Sequence, residues 1–193
     1  NLEMKNIAMF ASVSWTNAEN IIKYFSTKNT AKVSLVLSNK RDAGVLKRAE
    51  AFGVKTVFFD REDFYNKGRV LGLLLEEKVE FIVLAGFLWL VPEDILKHYP
   101  RRMVNIHPAL LPRHGGKGMY GERVHKSVIE NKDTETGITI HYVNEVYDAG
   151  DIIFQAKCRV DSDDTPDSLA SKVHALEYRY FPEIIEKLIL KDL

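Results

Sequence analysis

Five short apolar, β-branched runs, Ile7–Phe10, Val33–Leu37, Thr56–Phe59, Phe81–Ala85 and Met103–Ile106, alternate along the chain with stretches of helical period. The runs are continuously apolar, the pattern of strands covered on both faces. The intervening stretches are Asn17–Phe25, Val45–Phe52 and Phe64–Lys78, in which Leu71, Leu74 and Leu75 are expected on one helical face. Such alternation predicts an α/β chain: a doubly wound, mostly parallel sheet with helices on both faces and a ligand crevice beyond the carboxyl ends of the strands.

After Ile106 the texture changes. His107 to Gly121 holds two prolines and four glycines in fifteen residues, which predicts a long loop. A short helix follows around Val124–Glu130, then strands Gly137–Val143 and Ile152–Arg159 separated by the turn Tyr147-Asp148-Ala149-Gly150. Thr165 before Pro166 is a helix start, and the periodic segment runs to about Leu190 with a kink expected at Pro182. One domain over residues 4–190 is the economical expectation; Asn1, Leu2 and Glu3 are read as an expression remnant outside the fold.

Composition excludes several classes. Lysine plus arginine and aspartate plus glutamate each number 27, so there is no basic surplus for a phosphate backbone and no nucleic-acid partner is expected. The most apolar stretch, Phe81 to Val91, has eleven residues, short of the roughly 18 that would span a bilayer. With no export signal and a single cysteine, Cys158, expected to be buried and inert, a cytoplasmic location is expected.

Three places carry polar side chains where this fold puts chemistry. At the first strand's end, Ser14, Thr16 and Asn17 read as helix caps or as one wall of an anion site. No glycine precedes Gly44, so the glycine fingerprint of dinucleotide binding is absent and a nicotinamide-dependent oxidoreductase is disfavoured. In Asn105-Ile106-His107-Pro108, period two puts Asn105 and His107 on one side of the chain at the sheet's carboxyl edge. Asparagine can donate to an oxyanion and histidine can move protons near neutrality; the plainer reading is a strand-end histidine bonded to a backbone carbonyl. Asp148 reads either as a turn residue holding its own amides or as the carboxylate that orients His107 and raises its pKa. The other histidines, His98, His114, His125, His141 and His174, have no metal-ligand spacing, and no metal is expected.

Asn105-Ile106-His107-Pro108-Ala109-Leu110-Leu111-Pro112, Gly137-Ile138-Thr139-Ile140-His141-Tyr142-Val143 and Asp148-Ala149-Gly150 together resemble the folate-dependent formyltransferases. The resemblance extends from Met4 to about Leu190 and includes Ser38-Asn39-Lys40 and Ala85-Gly86-Phe87. It implies the Rossmann-like formyltransferase fold, with Asn105, His107 and Asp148 as catalytic residues and Asn105 touching the formyl oxygen. It implies folate contacts at Arg61, Leu88, Trp89, Leu90, Val91, Asn105 and Val143, with Val143–Asp148 closing over the pterin. It implies phosphate contacts at Trp15, Thr16 and Asn17 and ribose contact at Glu177.

The co-substrate it implies is 10-formyltetrahydrofolate. The chain's length points to the branch whose acceptor is the amine of 5-phosphoribosylglycinamide, in purine biosynthesis; the partners expected are small-molecule substrates and a second copy in a homodimer. The family it resembles usually has glycine in the first loop where Val13 and Trp15 stand here; if either position needs positive φ or close approach to phosphate, the side chain would strain or block the site. Two alternatives share the same residues: hydrolysis of formyltetrahydrofolate, and a folate- or nucleotide-binding module whose turnover the altered loop impairs.

Overall fold

A computed structural model describes residues 3–13, 15–42 and 44–193. Asn1, Leu2 and the potential cap Ser14 lie outside the described residues. The elements run β1 (Lys5–Phe10), α1 (Thr16–Ser26), β2 (Ala31–Ser38), α2 (Gly44–Ala51), β3 (Lys55–Phe58), a π turn (Glu62–Asn66), α3 (Arg69–Glu76), β4 (Phe81–Ala85), α4 (Glu93–His98), β5 (Met103–His107), α5 (Glu122–Glu130), β6 (Glu135–Tyr142), β7 (Ile152–Arg159) and α6 (Pro166–Asp192).

They build one seven-stranded sheet in the order β3-β2-β1-β4-β5-β6-β7, parallel through β5 and antiparallel at β6 and β7. The chain winds outward from β1 on one side and from β4 on the other, so the order reverses between these two strands. Reversal splays the connections apart and leaves a crevice at the strands' carboxyl ends. Every residue of β4 is buried, as a strand with helices over both faces requires.

The two helical layers bury two apolar clusters. One face of the sheet holds Ala18, Ile21, Ile22 and Phe25 of α1 together with Val173, Phe181 and Ile185 of α6. The other holds Phe10, Phe59, Phe64, Val70 and Leu74.

Three expectations are corrected. The stretch 64–78 is not one helix: Gly68, at φ 62°, stops the π turn and restarts the chain as α3. Val70 and Leu74 form the buried stripe of α3, whereas Leu75 is 51% exposed, because a helix this short buries a narrow stripe. Helix α4, with acidic residues in its first turn and Lys97 and His98 in its last, was hidden behind the apolar run before it.

Helix α6 begins with the capping box of Thr165 and Ser168 and continues past Pro182. Proline has no N–H, so the carbonyl four residues earlier, that of Tyr178, loses its helical donor. Asn20 Nδ2 on α1 supplies the replacement at 3.1 Å, which ties α6 to α1 beside Glu177.

Candidate active site

The crevice is a cavity of about 540 Å3, within the range for small-molecule sites. Val13 and Asn17 follow β1; Gly86, Phe87 and Leu88 follow β4; Asn105, His107 and Pro108 end β5. The β1 and β4 ends are stitched together: Ser12 N–H donates to Gly86 O at 3.0 Å, and Leu88 N–H donates to Ser12 Oγ at 3.1 Å. Next to it lies a smaller cleft of about 50 Å3, bordered by Trp89, Leu90, Val91, Val143 and Tyr147. Asn105 and Asp148 line both.

His107 is 3% exposed. Its Nε2 donates to His114 O at 2.8 Å, and its Nδ1 faces Asp148 Oδ1 at 3.4 Å. The plainer reading, a strand-end histidine bonded to a backbone carbonyl, thus describes one nitrogen, and the other is left facing the carboxylate. Asp148 sits at φ 54°, a left-handed conformation that aspartate tolerates, and its turn is closed by Gly150, where a Cβ would run into the Tyr142 carbonyl. Asp148 Oδ2 accepts from Gly116 N–H at 3.1 Å, so it holds a distant loop and not its own turn.

The β5–β6 register sets His141 opposite Asn105. His141 Nδ1 donates to Tyr142 O at 2.8 Å, which leaves Nε2 to accept from Asn105 Nδ2 at 3.0 Å. The same Nδ2 is 3.5 Å from Asp148 Oδ1. One amide hydrogen of Asn105 is thus committed to His141, and the second, weakly held one is available to an oxyanion. Sequence spacing offered no sign of this role for His141.

The expected rise in the His107 pKa is overturned. Burial pulls it below the ordinary histidine value, and the Asp148 charge and the His114 carbonyl offset only part of that. For Asp148, burial pushes upward, but the nearby His141 imidazole, 3.8 Å away, the His107 charge and the Gly116 amide together hold its carboxyl below the usual range. The resting site is therefore a neutral imidazole beside a carboxylate.

At the other end of the cavity Glu177, 5% exposed, accepts from Asn17 Nδ2 at 2.8 Å, while Asn17 Oδ1 has no partner among the described residues. Asn17 is thus a cavity side chain and not a helix cap. Trp15 holds the N-cap position with no side-chain cap bond. Its φ of −101° is unstrained, and it leaves the cavity open by turning to α2, where Arg48 stacks on its ring at 3.9 Å and Gly44 gives it room. Val13 is absent from the positive-φ positions but lines the cavity at 53% exposure. Neither Trp15 nor Thr16 lines the cavity. Arg61 stands apart from both cavities, stacked on Trp89 at 4.8 Å and Tyr65 at 5.2 Å. Cys158 is half-buried, and burial raises its thiol pKa.

Two buried groups here titrate in opposite senses. Burial pushes Glu177 up to about 7, and burial together with the His174 and His107 charges brings His125 down to about 4. Folded Glu177 keeps a proton that the unfolded chain has released, so its contribution is complete below about pH 4.5 and is lost as pH rises through 7. His125 contributes fully above about pH 6.5 and loses that contribution as pH falls toward 4. Glu177→Gln keeps the Asn17 bond and removes only the first slope. Relative to the parent, its unfolding free energy in urea should rise by about 3 kcal/mol between about pH 4.5 and pH 8. A pH-independent difference would contradict the assigned burial of this carboxyl.

No helix among the described residues is long and apolar enough to cross a membrane. A formyl transferase family model matches residues 5–185. The phosphoribosylglycinamide formyltransferase of Bacillus subtilis (strain 168) is 34% identical over 191 residues, which are 96% of this chain and 95% of that one. The chloroplastic phosphoribosylglycinamide formyltransferase of Arabidopsis thaliana is 37% identical over 94% of this chain, which spans 64% of its length. The crystal structure of glycinamide ribonucleotide transformylase 1 from Symbiobacterium toebii is 30% identical and matches with a TM-score of 0.89 over 99% of this chain and 90% of that one. With a family model that matches nearly its whole length and a full-length relative at 34% identity, the chain belongs to the formyl transferase family.

Proposed function

We propose that the protein transfers a formyl group from 10-formyltetrahydrofolate to the amine of 5-phosphoribosylglycinamide, through one formyltransferase domain spanning residues 4–190. One observation carries this reading. Asn105, His107 and Asp148 converge where a large polar-ended cavity meets a small apolar cleft, as transfer between two different substrates requires. The cavity takes the ribonucleotide and the cleft takes the pterin. A cytoplasmic setting belongs to the same reading, supported by a lone half-buried thiol.

The substrate amine attacks the formyl carbon, and the carbonyl oxygen becomes an oxyanion within reach of the free Asn105 hydrogen; a donor of this kind is worth about 10²–10³ in rate. The attacking nitrogen becomes an ammonium and must lose a proton, while N10 must gain one as its bond to the formyl carbon breaks. Neutral His107, through Nδ1 and one water, accepts the first proton and returns it to N10. Asp148 makes that transfer favourable, because protonation turns a lone pair facing a carboxylate at 3.4 Å into an N–H donor facing it. The products are the formylated amide and tetrahydrofolate.

Glu177 and Asn17 Oδ1 supply acceptors for ribose hydroxyls, and the start of α1, where Asn17 lines the cavity, is the place for the phosphate. At about 50 Å3 the cleft holds a water or two, so a pterin enters only when the 144–147 loop moves outward. Tyr147 OH, bonded to Leu88 O at 2.9 Å, is the latch.

The test is an absorbance assay of folate release by the pure protein with both substrates. Release that needs the ribonucleotide supports transfer, and release without it is hydrolysis. Val13 narrows the phosphate end of the cavity, so Val13→Gly is expected to lower KM for the ribonucleotide about tenfold, or ~1.4 kcal/mol, with kcat and folate KM unchanged. An unchanged ribonucleotide KM would remove Val13 from the binding site.

A further inference from the structure

The pair His114 and Asp133 forms a cluster that the transfer mechanism does not use. His114 Nε2 lies 2.6 Å from Asp133 Oδ2, and its Nδ1 lies 2.7 Å from Ser127 Oγ on α5. The imidazole and carboxylate are 10% and 8% exposed. Asp133 Oδ1 also accepts from Asn131 Nδ2 at 2.7 Å and faces Arg113 at 3.6 Å. The order Ser–His–Asp resembles a hydrolytic triad, but Ser127 lines neither the large cavity nor the small cleft, so its hydroxyl stands apart from the proposed substrates.

What the cluster does reach is His107. The backbone of His114 is at φ 57°, a conformation that costs a non-glycine residue about 1 kcal/mol or more unless something holds it. Here the side-chain bonds to Ser127 and Asp133 hold it, and the result is a fixed carbonyl 2.8 Å from His107 Nε2. Two residues on, Gly116 N–H holds Asp148 Oδ2. Between them Gly115 passes through a gap so tight that a Cβ would lie 2.5 Å from Leu111 Cδ2 and 3.5 Å from Asp148 Cβ. One three-residue segment therefore grips both ends of the His107–Asp148 pair, and the His114 side chain anchors it to α5 and the turn before β6.

We propose that His114, clamped by Asp133 and Ser127, is a positioning residue for proton transfer: it fixes the 114–116 segment so that His107 presents Nδ1 beside Asp148. This rests on the reading of His107 as the proton-transfer group. None of the three clamping residues lines the large cavity, so their loss acts on turnover and not on substrate binding. Asp133 stays ionised because the His114 and Asn131 hydrogen bonds and neighbouring positive charge outweigh the upward push of its burial. Loosening the His114 carbonyl removes one of the two influences that support the His107 proton, so the His107 pKa falls further.

The test compares Asp133→Asn, Ser127→Ala and His107→Ala in the same steady-state assay, with 15N NMR of the imidazoles of the unliganded protein as a readout independent of activity. In Asp133→Asn, kcat is expected to fall about 10- to 100-fold, the scale of a misplaced catalytic group, with both KM values held within about twofold. The acid limb of its kcat profile moves to lower pH, and the His107 Nε2–H signal broadens or shifts. Ser127→Ala, which leaves the Asp133 bond intact, shows the same changes to a smaller degree. Wild-type kcat, pH profile and His107 spectrum in both variants, alongside a His107→Ala protein that has lost turnover, would overturn the proposal. Full turnover in His107→Ala would instead overturn the functional reading on which it stands.

Discussion

His107→Ala is expected to lower kcat by about 10²–10⁴-fold, the usual contribution of a positioned acid–base group, while both KM values stay within a few-fold. The reason is geometric. His107 is fixed by His114 O on one nitrogen and faces Asp148 on the other. Among the described residues no second side chain stands ready to carry the proton, because His141, the nearest other imidazole to Asp148, has one nitrogen on Tyr142 O and the other on Asn105. The acid limb of the kcat profile should disappear with the imidazole. In the parent it lies below the ordinary histidine value, since burial keeps His107 neutral and a proton gained from solvent blocks it as acceptor. Truncation leaves the His114 carbonyl without its donor, at a cost of about 1–3 kcal/mol in stability, so the variant should still fold. Wild-type kcat in a folded His107→Ala protein would remove this residue from the chemistry.

Asp148→Asn tests the electrostatic half of the mechanism, and a loss of about 10²–10³-fold in kcat is expected. Asparagine is tolerated at φ 54° about as well as aspartate, and its amide oxygen can still accept from Gly116 N–H, so fold and loop survive. What goes is the charge 3.4 Å from His107 Nδ1. Without it only the His114 carbonyl offsets the desolvation of the imidazolium, the proton accepted from the attacking amine is poorly held, and the acid limb moves to still lower pH. An upward move of that limb, or full activity, would contradict the role given to this carboxylate.

Much of the fold could be read from the chain because its strands and helices differ in period. The continuous apolar runs became β1 to β5 within a residue or two at each end. What failed did so for local reasons: a left-handed Gly68 inside an apparently continuous helical pattern, and a six-residue α4 too short to show a period. Asn105 and His107 were readable as a pair because strand alternation fixes their side. Their setting was not. That Asp148 meets His107, that His141 lies across from Asn105, and that Glu177 meets Asn17 over 160 residues are consequences of strand order, register and helix packing, none of which leaves a spacing in the sequence. The direction of the His107 pKa was misjudged for a related reason. Burial is a property of the whole fold, and here it outweighs the one neighbour whose charge could be anticipated.

The most direct test of formyl transfer follows the carbon itself. With 10-formyltetrahydrofolate labelled by 13C in the formyl group, NMR of the complete reaction should show the label leaving N10 and appearing in the new amide of the ribonucleotide, one for each tetrahydrofolate released. Label that appears as free formate, or that stays on the folate while the ribonucleotide is present and the protein is folded, would contradict the account.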